Sequence, residues 1–421
     1  MTGRWFTGDE SGLSFPADPA TLRDGGVAFL IKAFQTPVTA VTRCEEVSGG
    51  STGRKVLLDV TYREPRPDLH TELFVKFSRD FDDPVRDRGR TQMASEVTFA
   101  SLSLTPEFPI VVPRPQFADY HRESGTGILI TERIQFGSNG IERQYHKCLD
   151  YQMPRAADHY RALLTAIARL AGAHRSGSLP AQLTGRFPVD LRAAAVGEPP
   201  PLSPEKLARR VARLAEFAEA RPGLLPASVR SANFFNRFAA EAQLVLERES
   251  AIWRHLTDAT EYIALSHWNA NVDNAWFWTD DGGTLRCGLM DWGCVSQLNV
   301  AMAIWGSMSG AETELWEQDF DEILELFCGE VHASGGPKLD PAALEQQVLL
   351  YVALMGITWL LDVPALIRVK APEATHRTDP AIRGDEHVRA PLQMLSNVLK
   401  LWESRNLTGA LRTLRRSVQL P

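Results

Sequence analysis

This chain has no CxxC pair and no even set of cysteines. Its five cysteines, Cys44, Cys148, Cys287, Cys294 and Cys328, are scattered. That argues against a disulfide frame or a zinc site and for reduced thiols in a cytoplasmic protein. Basic charge is not in excess: 45 Lys and Arg stand against 52 Asp and Glu, a formal net charge of −7. General nucleic-acid binding needs a basic face and is not expected, although a local basic phosphate site is compatible with this balance. There is no run of about 18 apolar residues, so no membrane span is expected. Met1 to Asp18 is polar and lacks an apolar signal core. Internal repeats and low-complexity tracts are also missing.

What is present is an ordinary globular composition. Of 421 residues, 44% are hydrophobic and 23% charged, enough to bury a substantial core in two or three domains. Periodicity predicts a helix over 19–35, opened by Asp18-Pro19. Val38 to Val47 reads as a strand, and Lys55 to Tyr62 alternates with Val56, Leu58, Val60 and Tyr62 on one face. The glycine-rich Ser48 to Arg54 joins them as a hairpin turn. A third strand follows over Thr71 to Phe77, then a helix over Met93 to Leu104. Pro109, Pro113 and Pro115 mark an extended crossing, and Gly127 to Ile134 is a further strand. The rest is mostly helical: 156–177, 204–220, 311–334, 341–362 and 387–417, with a Pro- and Gly-rich connector over 178–203. Two short apolar strands end near Leu265 and Met290.

The turn Gly49, Gly50, Ser51, Thr52 and Gly53 lets backbone N–H groups approach anionic oxygens without a side-chain clash. The same string also suits a plain hairpin. Lys76, inside the apolar Leu73-Phe-Val-Lys-Phe77, needs a reason, because an unpaired buried ammonium is costly. An ion pair to a helix carboxylate is one reason, and Glu96 is the candidate partner. An edge-strand lysine with its head in water is the other. Further on, His267-Trp-Asn-Ala-Asn-Val-Asp-Asn274 and Leu289-Met-Asp-Trp-Gly293 place amides and carboxylates on two loops, each beside strand-like residues. Asp291 follows Asn274 by 17 residues, a spacing that suits an intervening hairpin turning at Asp280 to Gly283. Phosphoryl transfer needs one loop to position the acceptor and the next to hold magnesium on the phosphates.

Together these motifs resemble the protein-kinase-like small-molecule phosphotransferases, the aminoglycoside phosphotransferase and choline kinase group. The resemblance implies an α+β, two-lobed fold, with residues 1–135 as a small β-rich lobe and 136–421 as a larger helical lobe. It implies ATP and Mg2+ as cofactors and a small-molecule hydroxyl as acceptor. The glycine turn and Lys76 would hold phosphates, Glu96 would pair with Lys76, and Asn274 and Asp291 would hold the metal. The strand Ile128 to Ile134 resembles the one leading to the hinge, where Glu132, Arg133 and Ile134 would meet adenine through the backbone. The helix ending at His174 resembles the one ahead of the family's catalytic segment, with a structural histidine.

The chain departs from that group at its catalytic segment. The family carries His-Gly-Asp, four residues and Asn. Here His267 and Asn274 match the ends, Trp268 replaces the glycine, and Asn269 replaces the aspartate. An amide orients a hydroxyl but does not take its proton at neutral pH. Asn271-Val-Asp-Asn274 is similar to the loop of selenoprotein O, a kinase-like AMP transferase, and by that match Asp273 becomes the base. Three functions stay open: γ-phosphoryl transfer, a nucleotide-binding pseudokinase, and AMP transfer. Trp268, Trp276, Phe277, Trp278, Trp292 and Trp305 could line an acceptor pocket or be core. The acidic stretch from Glu312 to Glu325 could attract a cationic acceptor or be a solvated helix face. Oligomeric state and acceptor identity are not encoded in any motif.

Overall fold

The computed structural model describes residues 3–47, 49–50, 52–66, 69–194 and 202–414. It divides into two units. The first comprises Met1–Glu142, Gly177–Pro188 and Gly288–Val295, and the second Arg143–Ser176, Val189–Cys287 and Ser296–Pro421. The class is the expected α+β: a β-rich amino-terminal part and a mainly helical remainder.

The first unit opens with a two-stranded ribbon, β1 (Trp5–Thr7) and β2 (Ser14–Pro16), which the periodicity did not show. The helix Pro19–Phe34 follows, capped by Asp18, whose side chain accepts from the Thr21 N–H at 2.8 Å. Next come β3 (Val38–Val47), β4 (Arg54–Tyr62), β5 (Glu72–Phe77), β6 (Pro115–His121) and β7 (Thr126–Glu132). They form one antiparallel sheet in the order β3-β4-β5-β7-β6. The proline-marked crossing thus ends in an edge strand, where a proline at the first position costs no ladder bond.

Strand alternation gives this sheet two different faces. Val56, Leu58 and Val60 of β4 and Leu73, Val75 and Phe77 of β5 point one way and are buried with Leu22, Phe29 and Leu30 of the first helix. The other face carries Leu129 of β7, which packs with Met93, Val97 and Ala100 of the helix Met93–Ser103. Those positions repeat at helical spacing, so Glu96 shares the sheet-facing side with them. The β3–β4 turn needs a glycine at Gly53: its φ is 53°, and a Cβ there would lie 1.8 Å from the Phe77 carbonyl oxygen.

The second unit is built on Ala156–Ser176, with Leu163, Leu164, Ile167 and Leu170 buried. Gly172 lets Phe320–Ala333 approach it; a Cβ there would sit 2.5 Å from the Val331 oxygen. The helix expected over 311–334 is two, Thr313–Gln318 and Phe320–Ala333, broken at Asp319. Pro341–Met355 runs on into a π turn at Gly356–Leu360, where the missing Cβ of Gly356 admits Val398 of Glu386–Ser404. By length and composition Pro341–Leu360 could cross a bilayer, but 72% of its apolar 18-residue window is buried. That makes it a core helix of this unit. Ala232–Glu247 and Glu249–Asp258 were not anticipated. The 178–203 connector holds two short helices, Ala181–Thr184 and Leu191–Ala194, and its residues 195–201 lie outside the described ones.

Four short strands carry the loops of interest. The strand β8 (Ile263–His267) pairs with β11 (Val295–Asn299), and β9 (Ala275–Thr279) pairs with β10 (Leu285–Leu289). The β9–β10 hairpin turns where the spacing placed it. Asp280 Oδ1 accepts from the N–H groups of Gly282 and Thr284 at 3.0 and 2.9 Å.

Candidate functional site

Lys76 stands on β5 between Val75 and Phe77, both buried on the opposite face. Its ammonium therefore leaves the sheet on the side of the helix Met93–Ser103. There Nζ lies 2.6 Å from Glu96 Oε1 and 2.6 Å from Asp291 Oδ1. The side chains of Lys76 and Glu96 are 15% and 7% exposed, so this pair is largely removed from water, whereas Asp291 is 45% exposed. Burial opposes the lysine's charge, but the carboxylates of Asp291 and Glu96 outweigh it and hold the ammonium above its ordinary value. Glu96 is pushed up, chiefly by burial; Lys76 opposes the shift and the Asp291 charge adds to it.

Asp291 is delivered by the end of β10. Its φ of 65° and ψ of 62° lie in the left-handed region, which is uncommon for a non-glycine residue and concentrates where geometry is functionally constrained. Trp292 anchors the turn by stacking on Phe99, ring centroids 3.7 Å apart. The indole N–H donates to the Leu289 oxygen at 3.1 Å. Lys55, Lys76, Glu96, Asp291, Thr52 and Gln92 line one cavity, with about 360 Å3 of atom-free space, part of it open to solvent. Gly49, Gly50, Thr52 and Gly53 form the adjacent turn; Ser51 lies outside the described residues. Lys55 was not singled out by any motif. Its signal is the register Lys55↔Lys76 across β4 and β5, which only the folded sheet reveals.

At the expected hinge, the backbone N–H groups of Glu132 and Arg133 are used within the sheet, donating to Arg114 and Glu72 oxygens at 3.0 and 3.1 Å. The Glu132 side chain accepts from the Arg114 N–H at 2.9 Å. Ile134 follows in irregular chain.

In the second unit, the loop after β8 is tied together by its own side chains. His267 is fully buried, and its Nδ1 lies 3.1 Å from the Asn269 N–H that it accepts. Asn269 Oδ1 accepts from Asn271 Nδ2 at 2.6 Å. Asn274 Nδ2 donates to the Asn269 carbonyl at 2.8 Å, so the amide's other end is its oxygen. Lys147 Nζ lies 3.9 Å from Asp273 Oδ2. That lysine was missed because it sits in irregular chain far away in sequence. Gly306 packs under the loop; a Cβ there would be 1.6 Å from the Trp268 oxygen.

Trp276, Phe277, Trp292 and Trp305 are buried core residues, and the Trp268 indole donates to the Tyr351 hydroxyl at 2.8 Å. The acidic stretch is largely matched by cations of its own unit. Glu312 pairs with Arg377, Glu317 with Lys400, Asp319 and Glu322 with Arg161, and Asp321 with Arg405. A nearby cavity is lined by Arg377, Arg383 and Arg389 with no lining carboxylate. No cluster of three or more His, Cys, Asp or Glu suited to a metal occurs among the described residues. All five cysteines are free thiols.

Neither protein-family models nor curated proteins give a match. Among solved structures, the chain is similar to a macrolide 2′-phosphotransferase type I, with 13% identity, 88% of this chain and 95% of that one covered, and TM-score 0.39. It is similar to a microcompartment-associated aminopropanol kinase, with 13% identity, 94% and 99% covered, and TM-score 0.46. It is also similar to a choline kinase from Cryptosporidium parvum Iowa II, with 10% identity, 88% and 93% covered, and TM-score 0.43. Identities and scores of this size carry no activity, substrate or residue role across to this chain.

Proposed function

We propose that this chain is an ATP-dependent phosphotransferase that moves the γ-phosphoryl group to a hydroxyl of a small molecule in the cytoplasm. The observation that carries this reading is the Lys76, Glu96 and Asp291 cluster, with both contacts of Lys76 at 2.6 Å, on the wall of one cavity. A buried ammonium braced by a helix glutamate and facing a second carboxylate is what nucleotide phosphates and their metal require. Glu96 fixes the lysine head. Lys76 holds phosphate oxygens, and the N–H groups of the Gly49 to Gly53 turn add to them. The base is assigned to the backbone at Ile134, since the Glu132 and Arg133 N–H groups are already bonded within the sheet.

Each of the two assigned donors by itself suits magnesium, a hard cation that favours oxygen. Asp291 offers a carboxylate, and Asn274 offers the amide oxygen left by its nitrogen's bond to Asn269. When bound, magnesium neutralises charge on the phosphates. In the transfer the acceptor oxygen bonds to the γ-phosphorus, the bond to the ADP oxygen breaks, and Asp273 takes the hydroxyl proton. His267 holds the loop through its bond to the Asn269 N–H. Asn269 would orient the acceptor through its side-chain nitrogen, since its Oδ1 accepts from Asn271.

That engagement also favours a second reading, a nucleotide-binding pseudokinase, should Asp273 not act as base. ATP labelled separately at the α and γ positions distinguishes these and AMP transfer. A γ-label on a small-molecule product supports phosphoryl transfer. An α-label overturns it in favour of AMP transfer. Binding without either label overturns it in favour of the pseudokinase.

A further inference from the structure

We propose that Lys55 is a second phosphate-binding lysine, so that the phosphates of a nucleoside triphosphate are held between two ammonium groups. This rests on the nucleotide reading above and adds a residue to it. Lys55 and Lys76 are direct cross-strand partners, so pleating sends both side chains to the same face of the sheet. Both line the cavity that also holds Glu96 and Asp291.

The two lysines are satisfied very differently. Lys76 has two carboxylates at 2.6 Å. Among the described residues Lys55 has no carboxylate partner; its ammonium donates to the Gly49 carbonyl at 3.1 Å. Burial pulls its pKa down; the Asp291 charge opposes this, the Lys76 charge adds to it and the Glu96 charge opposes it. A half-buried ammonium beside another cation, with a neutral carbonyl as its hydrogen-bond partner, has capacity left for an anion. A phosphate group supplies the missing negative charge and several acceptors.

The Lys55 ammonium reaches over Gly50, whose φ of 73° favours glycine. The bond to Gly49 puts the ammonium against the segment whose N–H groups are assigned to phosphate. Lys55 thus links β4 to the turn and exchanges the carbonyl for phosphate oxygens when nucleotide enters.

The test is calorimetric titration of the full chain with MgATP and with adenosine, comparing wild type, Lys55→Ala, Lys55→Arg and Lys76→Ala. Lys55→Ala is expected to weaken ATP by about tenfold or more, as for loss of a charge-assisted hydrogen bond, while adenosine is unchanged. Lys55→Arg keeps the cation and should recover most of the affinity. If Lys55→Ala binds ATP within about twofold of wild type while Lys76→Ala does not, the proposal fails and the nucleotide site stands. If Lys55→Ala weakens ATP and adenosine alike, Lys55 is a turn clamp and the proposal fails. If wild type binds no ATP, the nucleotide reading falls first and takes this inference with it.

Discussion

Replacing Lys76 with methionine separates the two carboxylates by their solvation. The substitution keeps length and apolar stem but removes the ammonium that both contact at 2.6 Å. Asp291, 45% exposed, can turn to water, and its share of the loss is small. Glu96, 7% exposed, cannot. Removing one partner of a buried pair costs about 3–5 kcal/mol, and we expect the lower end, because one of the two contacts is half solvated. The sign with pH follows from Glu96. Its carboxyl is already raised by burial with Lys76 opposing, so the substitution raises it further. Stability is then fully retained below the unfolded carboxyl value of about 4.3 and falls as pH rises through the raised folded value. Urea unfolding of wild type, Lys76→Met, Glu96→Gln and the double variant at pH 5 and pH 8 measures this. Lys76→Met should be weakest at pH 8, and adding Glu96→Gln should restore most of the loss. A cost under about 1 kcal/mol at pH 8, with no coupling between the two sites, refutes the reasoning.

Asp150 is raised to about 7, chiefly by burial, with the Tyr160 hydroxyl bond opposing and the Glu312 charge adding. Wild-type stability should therefore fall between pH 4 and pH 7, and Asp150→Asn should be the more stable protein at pH 8 by up to about 4 kcal/mol in thermal or urea unfolding. Equal pH profiles for the two would show that Asp150 is ionised throughout. Asp273→Asn should lower kcat about a hundredfold or more, the usual contribution of a general base, and Asn269→Ala far less; the reverse order removes Asp273 from the base role. Gly306→Ala puts a Cβ 1.6 Å from the Trp268 oxygen, so it should destabilise the second unit by about 1–3 kcal/mol. An unchanged melting temperature would contradict that close approach.

The sequence made the Lys76 and Glu96 pairing legible because both signals are local. A lysine breaks a strand's apolar run, and a glutamate shares the apolar side of the next helix with Met93, Val97 and Ala100. The strand Val38–Val47 was readable for the same reason. Lys55 was not, since its partner is set by register, and alternation alone does not say which residue of β5 it faces. Lys147 reaches Asp273 from a segment with no periodic pattern. The break at Asp319 was hidden because apolar spacing continues across it, while Arg161 from another helix pairs with that residue. The acidic run looked like an attractor only while its cationic partners, distant in sequence, were out of view.

Calorimetric titration of wild type and Asp291→Ala with ATP, each with magnesium and with EDTA, tests the central claim most directly. The account predicts that wild type binds ATP in magnesium and much more weakly in EDTA, and that Asp291→Ala loses the magnesium-dependent part. ATP binding that is indifferent to both the metal and Asp291 would contradict it.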